Sequence, residues 1–436
     1  MAPSAISGSP PPRYHSPPGG SKASDLKQAS TTTTEQQTNK KPPKYVVDDF
    51  NPYHNPLKVT ESEADRQYPF PDLKPCFPSD INTAPYEPIT NFVDRGTFAD
   101  SSKAALYGAS TKIDHLSVNI GTELIGPQLH KLSAQQKDEL ALLVAERGVV
   151  VFRDQELSPD QLVEFGGYFG ASDRPLHQHP SSGVPRRRGL DDVHVVWHDE
   201  SMKPSDLAFT STELYHSDVT FELNPPGLTA LHNITNPVHG GGDTLFSSGY
   251  GLYDKLSDPM KAYCESLQAV HSGVAQAEGA SKAGLHLRRP ALETTHPLVR
   301  THPVTGWKSI FANPAFTTAI AGVPRSESQM ILNHLFGLMT NSPELTLRVR
   351  WQTGTVVVWD NRVTTHSATY DHWRPDPTCR RHALRVAATA EIPSLLRPDG
   401  SEGVSRQEQI WEQQGLDVQA LKKRLATQKP SGGFKD

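Results

Sequence analysis

Short β-rich segments, closely spaced and broken by Gly, Pro and Asn, constrain this chain most. In its second half SLQAVHSG, HPLVRTHPVTGWKSIFAN, LRVRW and GTVVVWDN alternate apolar and polar residues or run as pure β-branched stretches. Most of them are separated by too few residues for a crossover helix, so neighbouring strands must run antiparallel. This predicts a sandwich or jelly roll rather than a doubly wound sheet. PVTG lies between two of the segments as a hairpin turn. Helices punctuate the pattern. LSAQQKDELALLVAERG carries Ser133 and Gln136 as a capping box and Gly148 as a stop, LSPDQLVEFGGYFG repeats the box with Ser158 and Gln161, and SESQMILNHLFGLMT is amphipathic.

Outside this region the composition changes. From Met1 to Pro43 the chain is Pro, Ser, Thr, Gln and Lys with almost no large apolar residue, so burial cannot offset ordering entropy and no regular structure is expected. Residues 44–111 hold aromatics among many prolines and should wrap over the domain as an irregular extension. The domain itself spans 112–393, and 394–436 reads as a largely solvated helical extension without chemistry.

A net charge of -5 over 436 residues gives no basic surface for nucleic acid, and no apolar run is long enough for a membrane. Cys76, Cys264 and Cys379 lie far apart, which fits reduced thiols. The start MAPSAISGSPPPRYHSPPGG has neither the charge nor the apolar core of a secretory signal, so a cytoplasmic protein is expected. The expected partner is a small-molecule anion, and assembly into a homo-oligomer is left open.

In ELYHSDVTF, His216 and Asp218 would share one face if the stretch is a strand. Alone, His-x-Asp is a weak signal. GTVVVWDNRVTTHSATYDH then delivers His366 after a buried-looking strand. Two imidazoles and a carboxylate with open positions suit non-haem iron(II), while zinc takes the same donors but leaves one position open. Beyond them CRRHALRVAATAEIP places Arg381 and Arg385 on one face and Arg380 on the other. Buried arginines of this kind clamp carboxylate or sulfonate, or else form structural ion pairs. His177 and His179, with His194 and His198, read as loop histidines lining an anion pocket rather than as a second metal site. PRRRG at 186–188 reads as a solvated loop, and GGGD at 240–243 as a turn placing Thr244.

The blocks YHSDVTFELNPPG, GGDTLFSSGYGLYDKL, HPLVRTHPVTGWKSIFANPAFTT, WDNRVTTHSATYD and RRHALR resemble, in order, those of the taurine dioxygenase (TauD/TfdA) family, including its fungal sulfonate dioxygenase branch. The resemblance runs from about Lys112 to Pro393. It implies a double-stranded β-helix, or jelly roll, with Fe(II) held by His216, Asp218 and His366. It also implies 2-oxoglutarate and O2 as co-substrates, with Arg381 and Thr244 on the distal carboxylate. Arg385 would then grip a substrate sulfonate, and His179 would be a second substrate contact. The implied reaction hydroxylates the carbon bearing the sulfo group, releasing sulfite and aldehyde beside succinate and CO2. Thr212 is carried over as a third substrate contact, but two positions depart from taurine-specific members: Ser182 replaces a tyrosine, and Thr212 replaces an asparagine. A sulfonate or sulfate ester other than taurine is therefore expected. A carboxylate substrate, a zinc hydrolase on the same triad, and a non-catalytic ligand sensor are the alternatives.

Overall fold

Capping chemistry sets the first helix and, through it, the central sheet. In the computed structural model, which describes residues 13–15, 67–77, 82–181, 186–187, 189–201, 212–282 and 284–427, helix Ala134–Arg147 starts at a complete Ser133/Gln136 box. Gly148, at φ 72°, ends it. The chain then enters strand Val149–Phe152, fully buried because its alternate residues serve two cores. Val149 and Val151 point into one apolar cluster, Val150 and Phe152 into another. Helix Pro159–Gly167 has the same capping box at Ser158/Gln161.

The larger sheet has nine strands in the order Pro75–Cys76, Arg186–Arg187, Leu190–His198, Arg381–Thr389, Pro226–Thr235, Val356–Asp360, Val149–Phe152, Thr122–Ile125 and Lys112–His115. Its ladders are antiparallel except Thr122–Ile125 with Val149–Phe152, where helix Ala134–Arg147 supplies the crossover. A second sheet, Thr346–Val349, Thr244–Ser248 and Thr364–Ala368, is antiparallel throughout. Phe246, Leu347 and Val349 from this sheet meet Val151, Leu231, Val357 and Ala383 from the larger one in a common core. Two sheets packed face to face make the expected jelly roll. The outer face of the larger sheet is covered by Leu140, Val144, Leu162 and Phe165 of the two capped helices.

The predicted hairpin is present as Val299–Thr301 paired with Lys308–Ile310, and helix Arg325–Asn341 packs beside it in a separate apolar cluster. Two expectations change. The N-terminal segment contains a short strand, Arg13–His15, paired with Glu293–Ala291. An open sheet edge offers backbone partners to any extended segment, whatever its composition. The rest of 1–43 lies outside the described residues. The C-terminal extension is two helices, Arg406–Gln413 and Val418–Thr427, parted near Gly415 at φ 75°. The first is docked rather than solvated: Arg406 is buried and donates to the Asn119 carbonyl at 2.9 Å.

The described part of 44–111 has little regular structure and buries Tyr68, Phe77, Ile89 and Leu106. Its anchor is electrostatic: Arg362, 1% exposed, lies between Asp94 of the extension (2.6 Å) and Asp360 (2.7 Å). No helix among the described residues is long and apolar enough to cross a membrane.

Candidate active site

His366 sits mid-strand on Thr364–Ala368 and is paired to His216 by two backbone hydrogen bonds. The His216 N–H donates to the His366 carbonyl (2.9 Å), and the His366 N–H donates back (2.7 Å). Residues so paired project side chains to the same face, and the imidazole centroids are 4.3 Å apart. The sequence expectation that one strand presents both His216 and Asp218 is corrected here. His216 is an isolated bridge residue, and Asp218 opens a turn whose next residue, Val219, has φ 39°. A β-branched residue there costs on the order of 1–3 kcal/mol. The turn brings Asp218 Oδ1 to 3.6 Å from His216 Nε2 and 3.8 Å from His366 Nε2.

These three ligand atoms lie within 4.8 Å of one another and form the one such grouping among the described residues. His216 Nδ1 donates to the Leu214 carbonyl at 2.7 Å, which fixes its proton there and leaves the Nε2 lone pair toward Asp218. Burial opposes a charge on Asp218, but Arg385 against Oδ2 and the two imidazoles hold its carboxyl well below the usual range. Burial, with His216 nearby, keeps His366 neutral. An ionised Asp218 and a neutral His366 are the protonation states in which such groups bind a divalent cation.

Two cavities flank the triad. The larger, about 380 Å³, is lined by His216 and His366 together with Thr244, Arg381 and Trp351. Arg381 and Arg385 stand opposite His198 and His194 in the ladder and share a face, as period two requires. Arg380 points away, over the rings of Tyr68 and Trp197 at 5.1 and 5.2 Å. Burial lowers Arg381 to about 10, so it stays charged near neutrality. Its Nε is buried with no acceptor among the described residues. A buried guanidinium N–H without an acceptor fits an anion that the site is built to receive. Thr244 Oγ1 accepts from Trp351 Nε1 at 3.0 Å, so its own proton is available to a ligand. The GGGD turn places it there, with Gly240, Gly241 and Gly242 all at positive φ.

The smaller cavity, about 180 Å³, is lined by His216 and Asp218 together with His179, His194, Phe316 and Arg385. The His179 Nδ1 accepts the Ser181 N–H at 3.0 Å, and burial keeps the ring neutral. Thr212 is not brought to either cavity. It is exposed in a turn at 212–214, which breaks the extended periodicity that would have aligned it with His216. Ser182 lies outside the described residues. The PRRRG stretch is corrected too: Arg186 is buried, and its guanidinium donates to the carbonyls of Asp191 and His179. His177 is engaged by Glu222 at 3.1 Å, as part of an ion cluster with Arg289.

Several cavity residues escaped the sequence reading. Tyr370 is one whose signal was present, since His366, Ala368 and Tyr370 line the larger cavity at period two. Pro75 and Phe77, from the N-terminal extension, are others.

Residues 112–387 match the family described as taurine catabolism dioxygenase TauD, TfdA family. The chain is 42% identical over 330 residues to a putative alpha-ketoglutarate-dependent sulfonate dioxygenase of Schizosaccharomyces pombe, covering 75% of this chain and 81% of that protein. It is 36% identical over 347 residues to the alpha-ketoglutarate-dependent sulfonate dioxygenase of Saccharomyces cerevisiae, covering 77% and 81%. Among solved structures it is similar to a putative alpha-ketoglutarate-dependent taurine dioxygenase from Burkholderia xenovorans, with 32% identity and a TM-score of 0.55 over 67% of this chain and 97% of that one. The converged triad, the two cavities and this match agree: the chain belongs to the TauD/TfdA dioxygenase family.

Proposed function

We propose that this protein is an Fe(II)- and 2-oxoglutarate-dependent dioxygenase that hydroxylates an organosulfonate or sulfate ester at the carbon next to the sulfo group. For a sulfonate the balance is one 2-oxoglutarate and one O2 consumed, with succinate, CO2, sulfite and an aldehyde released. The observation that carries the reading is one three-ligand set between two cavities: Arg385 lines both, whereas Arg381 and Thr244 line the larger one alone. His216, Asp218 and His366 would hold the iron, a donor set that leaves positions for co-substrate and oxygen. When bound, iron with 2-oxoglutarate and oxygen supplies the oxidising power for C–H hydroxylation.

The chain's own residues do the rest. Arg381 and the Thr244 hydroxyl would receive the distal carboxylate of 2-oxoglutarate at the end of the larger cavity. Arg385 and His179 would orient the sulfo group in the smaller one, fixing which C–H faces the metal. The walls of Trp351, Trp359 and Phe246 exclude water around these charges and strengthen their pairing. Both fungal relatives are named as sulfonate dioxygenases, which favours a sulfonate over a carboxylate substrate. A zinc hydrolase on the same triad would leave Arg381 and Thr244 without a use.

Anaerobic loading with Fe(II) and 2-oxoglutarate, then admission of oxygen with a panel of alkyl sulfonates, sulfate esters and carboxylates, tests the reading. Succinate and sulfite in equal amounts are expected with a sulfonate. Succinate formed only with carboxylates, and no sulfite from any sulfonate, would sink the substrate assignment.

A further inference from the structure

The larger cavity is not built by the family-matched region alone. That region begins at residue 112, yet Pro75 and Phe77 line the cavity, and Phe77 is 2% exposed. The strand Pro75–Cys76 brings them there by pairing with Arg187–Arg186 on the edge of the larger sheet. That edge strand pairs in turn with Leu190–His198, whose other neighbour carries Arg381 and Arg385.

A latch just upstream holds this strap in register. The His382 ring contacts the Leu73 carbonyl through Nε2 at 2.9 Å and the Tyr68 hydroxyl through Nδ1 at 2.6 Å. A carbonyl only accepts, so Nε2 carries the proton of a neutral His382, and Nδ1 accepts from the Tyr68 O–H. The Thr235 hydroxyl, 2.6 Å from the Tyr68 oxygen, is left to donate to it. Burial lowers His382 to about 4 and raises Tyr68 to about 12, so the arrangement is neutral across the working pH range. Trp197 closes the latch edge-on, 5.3 Å from Tyr68 and 5.0 Å from His382. His382 follows Arg381 directly and faces the opposite side of the same strand. The strap is therefore fastened to the reverse of the element that presents the arginine, while its end reaches the cavity wall.

We infer that Phe77, held by the Tyr68–His382–Thr235 latch, is a wall of the 2-oxoglutarate cavity and sets the affinity of this enzyme for its co-substrate. An apolar ring at the wall removes water that would otherwise compete for the Arg381–carboxylate pair. Phe77 thus acts on the bound co-substrate, and Tyr68 is a positioning residue. This rests on the larger cavity being the 2-oxoglutarate site, so the test includes Arg381→Ala as a reference.

The full chain, loaded anaerobically with Fe(II), is titrated with 2-oxoglutarate by tryptophan fluorescence, since Trp351 and Trp359 line the cavity. Tm and the KM for each substrate are measured on the same variants. Phe77→Ala, which opens the wall, and Phe77→Trp, which overfills it, should each raise the Kd for 2-oxoglutarate about tenfold, with the sulfonate KM within about twofold of the parent. Phe77→Leu should restore most of the affinity. Tyr68→Phe keeps the ring, loses the hydroxyl, and should weaken the same Kd by a smaller factor. An unchanged Kd in both Phe77→Ala and Phe77→Trp, with Arg381→Ala weakened, overturns the inference even if Tm falls. An unchanged Kd in Arg381→Ala as well overturns the assignment of the cavity itself.

Discussion

Arg381 and Arg385 lie four residues apart on one strand and face the same way, but their electrical settings differ. Arg381 is 3% exposed, has an unmet Nε–H, and forms no ion pair with a carboxylate among the described residues. Arg385 is already paired with Asp218 Oδ2, the oxygen that does not face the histidines. The first is a buried cation awaiting an anion. The second is partly neutralised, and its position is coupled to a triad carboxylate. On the proposed function, the larger cavity would be built around a fixed anionic co-substrate, while the smaller would admit an anion whose recognition is coupled to the geometry of the triad. The shared strand would then hold two anions of different identity on either side of one ion.

The largest effect should come from what both arginines serve. His366→Ala or Asp218→Ala should cost about a hundredfold or more in iron affinity and abolish succinate formation. Retention of iron and turnover by either variant would remove the common centre from the comparison.

Stability of the metal-free protein should then separate the two arginines by sign. Replacing Arg385 with Met leaves Asp218 buried without its cation, a change expected to cost about 3 kcal/mol in urea unfolding with chelator present. Replacing Arg381 with Met removes a buried charge that has no direct ion pair among the described residues, only the more distant Asp243 and Tyr370, and should stabilise the same protein by about 1 kcal/mol. In turnover, the Arg381 change should raise the requirement for 2-oxoglutarate and the Arg385 change that for substrate. Loss of stability in both variants would mean that Arg381 has a partner in the resting protein and that the contrast is wrong.

How far this contrast could be read in advance follows from its range along the chain. Period two along 381–385 put both arginines on one face, and the capping residues at 133 and 158 marked two helix starts, because these relations are local. The residue types of the triad were legible as a donor set. The Asp218 turn was not, since Val219 at positive φ runs against its β-branched preference and is imposed by tertiary structure. The pairing of Arg385 with Asp218, 167 residues away, and the arrival of Phe77 at the cavity are likewise fixed by sheet topology, which no short window of sequence contains.

A smaller effect should come from Thr244, which serves the Arg381 side alone. Thr244→Val keeps the shape and removes the hydroxyl that accepts from Trp351 and is free to donate. A hydrogen bond to a charged group is worth about 1.5–3 kcal/mol, so the KM for 2-oxoglutarate should rise by roughly tenfold to a hundredfold. An equal rise in the substrate KM would show that the two cavities are not separately addressed.

Thr212 should give the smallest effect of all, and it tests the Arg385 side by its silence. Sequence placed it among the substrate contacts, whereas the turn at 212–214 leaves it exposed and gives Leu214 to the cavity wall. Surface substitutions of this kind usually stay within about 0.5 kcal/mol, so Thr212→Ala should hold kcat/KM for the sulfonate within roughly twofold of the parent. A tenfold loss confined to the substrate KM would mean that Thr212 reaches the smaller cavity once substrate is bound. Substrate identity would then be set jointly from that turn and from the Arg385 strand. If the variant is silent, discrimination must come from groups that do line the smaller cavity, with Arg385, His179 and Phe316 the first to exchange.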